Sequence, residues 1–155
     1  LEHDPQDIEK IIDAARKNGA AIGVSEHYYG KKPAISNADR EYNNIIGAVA
    51  GTIVLGERIP QSFPGLNAYT LGDVKKIVDH IQKMPANPRW GCDTLVAGIA
   101  ARLLGRKIAV VRVAQPRLDK SRRTKRKLAE QQAGIIASLR QLLAYERRST
   151  KRANS

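Results

Sequence analysis

Cysteine is nearly absent from this sequence: Cys92 stands alone among 155 residues, which excludes an internal disulfide. Histidine is scarce and scattered. His3, His27 and His80 lie far apart, and Cys92 has no Cys or His at ligand spacing, so no metal site is expected. Methionine, tryptophan and phenylalanine occur once each, and aromatics make up 5% of the chain. No run approaches the ~18 consecutive apolar residues of a membrane span. There is no phosphate-cradling glycine loop and no serine nucleophile elbow, and no cofactor is expected. Leu1 to Asp4 lack the basic start and apolar run of a signal peptide. The expected location is inside the cell or within a nucleoprotein particle such as a virion, not the classical secretory route.

Acidic residues are also few. Asp and Glu number 15 against 27 Lys and Arg, giving a net charge of +12. The excess is uneven: residues 1–116 carry +3 and residues 117–155 carry +9. A nearly balanced body with a strongly basic end points to a polyanionic partner, nucleic acid first and an acidic membrane surface second. Hydrophobic residues make up 42% of the chain, enough for a real core. The expected organisation is a compact domain over 1–116, followed by a basic amphipathic helix and disordered tail over 117–155.

Periodicity predicts the elements. Asp4-Pro5 opens a helix whose apolar face is Ile8, Ile11, Ile12 and Ala15, and Asn18-Gly19 ends it. Ala20 to Val24 reads as a short strand. A second helix runs from Ser36 or Asn37 to about Leu55, with Ile45, Ile46, Val49, Ile53 and Val54 as apolar positions. Residues 56–69, rich in Pro and Gly, read as a long irregular connection. Thr70 and Asp73 resemble a capping box before a third helix reaching Met84, with Val74, Ile77, Val78 and Ile81 buried.

The stretch from Trp90 to Val113 is the expected heart of the fold. Leu95, Val96, Ile99, Ala100, Leu103 and Leu104 recur at helical spacing, Gly105 suits a left-handed helix end, and Ile108–Val113 reads as a buried strand. A long helix is expected from about Leu118 to Arg147 or Arg148. Its apolar stripe is Leu128, Ile135, Ile136, Leu139, Leu142 and Leu143. Residues 149–155 read as frayed. The fold class is therefore mainly α with a small β component (α+β): four or five helices around one or two short strands, plus the long basic C-terminal helix.

The polybasic run carries the strongest functional signal. Lys120, Arg122, Arg123, Lys125, Arg126 and Lys127 form a cationic cylinder if helical, and Arg117, Arg140, Arg147, Arg148, Lys151 and Arg152 extend it. Each Lys or Arg that neutralises a phosphate releases condensed counterions, which makes binding salt-dependent. No base-reading set is evident, so DNA or RNA would be held by its backbone, independently of sequence. Lys31 and Lys32, beside Tyr28-Tyr29, would add a stacking and phosphate contact, or form an ordinary surface loop. Glu26, His27 and Tyr28 are candidate acid–base groups of a ribonuclease-like site. Cys92, at a helix start, is a candidate nucleophile only if the fold brings a histidine to it.

Residues Ile77–Val113 resemble the later half of the ovarian tumour family of cysteine deubiquitinases. The shared features are a helix ending near Met84, then Trp90-Gly91, the apolar helix Leu95–Leu104 and the strand Ile108-Ala109-Val110. The resemblance implies that Glu41-Tyr42-Asn43-Asn44 takes the place of the family's Asp-Gly-Asn-Cys motif, so that Asn44 replaces the nucleophile. No histidine follows His80, so the second catalytic member is missing as well, and Cys92 falls at a non-catalytic position. The implied molecule is either such a peptidase or a catalytically inactive, ubiquitin-binding relative. The charge distribution favours a different expectation: a non-enzymatic, sequence-independent nucleic-acid-binding protein of packaging type, coat- or nucleocapsid-like, that associates with itself.

Overall fold

The first helix, α1 (Pro5–Asn18), starts as its sequence predicts. The Asp4 carboxylate accepts from the Gln6 amide at 2.9 Å, and Pro5 needs no amide partner in the first turn. In the computed structural model, which describes residues 4–25, 37–59, 66–84, 91–114 and 125–153, this helix leads directly into the sheet. The strand β1 (Gly19–Ser25) lies at the centre of three strands. On one side it pairs in parallel with β3 (Lys107–Val113), Gly19 opposite Lys107 and Ser25 opposite Val113. On the other it pairs antiparallel with β2 (Asn67–Tyr69), Ala20 opposite Tyr69 and Ile22 opposite Asn67. The strand β2 corrects the expectation of one or two strands and of an irregular connection over 56–69. Three residues are too few to show alternation in sequence, and it is distant pairing with β1 that makes them a strand.

The pleat sorts the sheet into two faces. Ala20, Ile22, Val24, Ile108 and Val110 face the main core, whereas Ala21, Ala109, Val111 and Val113 face Ile11 and Ala15 of α1. The remaining helices cover the first face. From α2 (Asn37–Leu55) come Ile46, Ala50 and Val54, from α3 (Leu71–Gln82) Ile77, and from α4 (Cys92–Gly98) Leu95 and Ala97. The expected apolar faces are wider than the contacts that form. Ile8 and Ile12 on α1, Ile45 and Val49 on α2, and Val74 and Val78 on α3 are all more than a third exposed. Each helix buries one line of residues against the core and turns its second line outward. On α3 the buried line includes a carboxylate, Asp73, which accepts two hydrogen bonds of 2.9 Å from Arg106 Nε and Nη2.

The helix expected to run without a break to Leu104 instead widens into a π-helical turn at Ile99–Leu103, with the Leu104 amide donating to the Ile99 carbonyl. Gly105 then adopts the expected left-handed conformation, φ +63°. The last helix, α5 (Lys125–Ala153), joins the main core through Leu128, Ile135, Leu139 and Leu142. It continues through residues 149–153, which the sequence places in a frayed end. Apolar periodicity stops before the helix does, because Arg, Lys and Ala favour helix without needing burial. The expected start near Leu118 lies outside the described residues. The fold is mainly α with a small β component, its described part holding five helices and a three-stranded sheet.

Close packing fixes α5 against α4. Gly91, before α4, has φ +89°, and a Cβ there would lie 2.7–2.9 Å from Ser138 Oγ, Ile135 Cα and the Gly134 carbonyl oxygen. A Cβ on Gly98 would run into the Leu142 side chain.

Candidate nucleic-acid interface

Burial of one face of α5 decides where its charges go. Leu128, Ile135, Ser138, Leu139 and Leu142 are buried. At 3.6 residues per turn, Arg126, Arg140, Arg147, Arg148 and Lys151 fall on the opposite side, within an arc of roughly 100°. All five are exposed. Between Arg126 and Lys151 the row extends about 37 Å. Arg126 is paired within the helix to Glu130 at 3.0 Å, an exposed and therefore weak contact. Arg140, Arg147, Arg148 and Lys151 make no ion pair with a described residue. At Arg147–Lys151 five consecutive residues are exposed, so the helix end meets solvent on every side.

The other acid of α5, Glu146, is used internally. It accepts from Arg102 Nη2 at 2.7 Å and Nε at 3.0 Å, while Arg102 Nη1 donates to the Ile53 carbonyl at 3.0 Å. The π-helical turn thus ties α5 to the end of α2 and removes Glu146 from competition with an anionic ligand. Neither Arg102 nor Glu146 was visible as a pair in sequence, since 44 residues separate them.

The predicted binding residues are therefore only partly placed together. Arg126, Lys127, Arg140, Arg147 and Arg148 are exposed on α5, and Lys125 begins the helix. Arg117, Lys120, Arg122, Arg123, Lys31 and Lys32 lie outside the described residues, as do Glu26, His27, Tyr28, Tyr29 and Trp90. Lys151, one of the residues expected to extend the cationic run, joins the row directly.

A second constellation links β2 to the start of α4. Among the described residues the buried Tyr69 hydroxyl has no hydrogen-bond partner, and burial, then the nearby Asp93 and Cys92, hold it protonated well above its ordinary value. Asp93 is exposed, yet partial desolvation at the start of α4 raises its carboxyl, with an Asn67 side-chain hydrogen bond opposing. Partial desolvation and then the Asp93 charge raise the thiol of Cys92, which is itself exposed; a raised thiol is the reverse of what activates a nucleophilic cysteine. His80 Nδ1 lies 3.1 Å from the Tyr145 hydroxyl, across the α3–α5 contact. Asn44 lies inside α2, seven residues beyond its first residue. Among the described residues no group of three or more His, Cys, Asp or Glu could hold a metal ion, and no helix is long and apolar enough to cross a membrane. The chain matches no family model, no curated protein and no solved structure.

Proposed function

We propose that this is a non-enzymatic, sequence-independent nucleic-acid-binding protein that acts structurally, as a coat- or nucleocapsid-like packaging protein in a nucleoprotein particle. One observation carries the reading: the row of exposed cations on α5 lies opposite the apolar line that fixes the helix to the core. Charge and scaffold are thus separated on one element. A rigid row of arginines suits phosphate, since guanidinium groups bind phosphate oxygens in bidentate fashion. Packaging also requires copies to associate. Leu71, Val74 and Val78 on α3, all exposed, offer apolar surface for that contact.

The test is binding of fluorescent nucleic acid by the full chain as salt is varied. Six phosphate contacts predict an affinity loss of ~10³-fold between 50 and 200 mM salt. Replacing Arg126, Arg140, Arg147 and Arg148 together by Gln should flatten that dependence and weaken binding at least ~100-fold. Scrambling the nucleic-acid sequence should leave affinity nearly unchanged. An intact chain that fails to bind in roughly 50 mM salt contradicts the proposal.

A further inference from the structure

We infer that the cations of α5 are spaced to match the backbones of B-form duplex DNA, an inference that rests on the phosphate-binding reading above. The five on the outward arc fall in three groups along the axis, Arg126, then Arg140, then Arg147 with Arg148 and Lys151, and Lys127 lies beside the first group at the edge of the arc. The first interval is 14 residues, about 21 Å of helix, and the second is 7 residues, about 10 Å. A rod lying along a B-form duplex meets the two backbones at alternating wide and narrow intervals. The major groove is about twice as wide as the minor, and dividing the ~34 Å axial repeat in that ratio puts the backbones roughly 23 and 11 Å apart along the axis. The cation row has the same two-to-one alternation and spans about 32 Å from Arg126 to the Arg147–Arg148 pair. The long interval bridges the major groove, the short one bridges the minor groove, and each group sits over a backbone. Exposed residues in the intervals include Ala133 and Ala137 in the long one and Ala144 in the short one, all small, while Glu130, also exposed in the long interval, faces the same side and is held by Arg126 at 3.0 Å.

A single strand fits this surface less well. Single strands are held chiefly by aromatic side chains on which bases stack. Tyr145, the aromatic residue of α5, is turned into the body, its ring edge-on to His80 at 5.6 Å between centroids. The inner face of the helix is held from Leu128 to Leu142, so the cations cannot close up around a flexible chain. A-form RNA has a narrow major groove and a wide minor groove, and its backbone intervals differ accordingly.

Fluorescence anisotropy with the full chain tests the inference on three probes of about two helical turns (~21 base pairs): duplex DNA, the corresponding single strand and duplex RNA. Duplex DNA should bind at least ~10-fold tighter than either of the others. Arg126→Gln, Arg140→Gln and Arg147→Gln should each lower the slope of log affinity against log salt by about 0.9 on duplex DNA. Circular dichroism should show the helix content of each variant unchanged, since all three side chains are exposed. Equal affinity for single-stranded DNA or duplex RNA overturns the match in spacing while leaving phosphate binding intact, as does an unchanged slope for Arg140→Gln. Failure of the unaltered chain to bind any probe at low salt overturns the function reading itself.

Discussion

Replacing Gly91 by Ala should be among the most damaging single-methyl changes in the described fold. Two costs combine. The left-handed backbone at φ +89° opposes any Cβ by roughly 1–2 kcal/mol. The added carbon would also lie 2.8 Å from Ile135 Cα and 2.9 Å from the Gly134 carbonyl oxygen, both backbone atoms of α5. That helix cannot retreat freely, because Ile135, Leu139 and Leu142 are embedded in the core on either side of the contact. Overpacking of this kind costs about 1–3 kcal/mol. The sum, about 2–5 kcal/mol, corresponds to a melting temperature lower by roughly 5–15 °C in a chain of this size. Gly105→Ala is the matched control. It has φ +63° but open space around the position of a Cβ, so only the backbone cost applies. Thermal melts followed by circular dichroism compare the two. A Gly91→Ala protein melting no lower than Gly105→Ala would refute the close seating of α4 on α5.

Other expectations follow from the same packing. Leu142, fully buried between α4 and α5, should cost about 2–5 kcal/mol on replacement by Ala, read as a lower urea midpoint. The Asp73 carboxyl is held below its ordinary value by hydrogen bonds from Arg106, against the opposing effect of burial. A depressed carboxylate contributes stability that is present above its unfolded value near ~3.9 and is lost as pH falls through its lower folded value. Arg106→Gln should therefore lower the urea midpoint at neutral pH, with the deficit shrinking in strong acid. A deficit of the same size at both extremes would contradict the assignment. Glu130→Gln, which frees Arg126 and removes a negative charge beside the phosphates, should tighten nucleic-acid binding roughly 2–5-fold in an anisotropy titration.

Local patterns made most of the fold legible in sequence. Asp4-Pro5, Asn18-Gly19, Thr70 and Gly105 mark element ends through backbone chemistry acting within a few residues. What escaped depends on distant partners. Asp7 and Asp73 stand in the first turns of α1 and α3, where acids usually meet solvent, yet both are buried, one accepting from the Ala114 amide at 2.7 Å and the other from Arg106. The π-helical turn leaves no mark in the apolar pattern of 95–104, because one wider turn shifts the stripe too little to interrupt it. Sequence also left open whether the stripe of α5 packs on its own core or on another copy. The burial of Leu128, Ile135, Leu139 and Leu142 resolves this in favour of its own core. The candidate interface was legible as charge. Which cations share a face became clear only when the opposite face was buried.

The most direct measurement is the size and ultraviolet absorbance of the protein isolated natively in low salt. The account predicts a large particle carrying the absorbance of nucleic acid, which dissociates into protein and free nucleic acid as salt is raised. A free monomer with the absorbance of protein alone would contradict it.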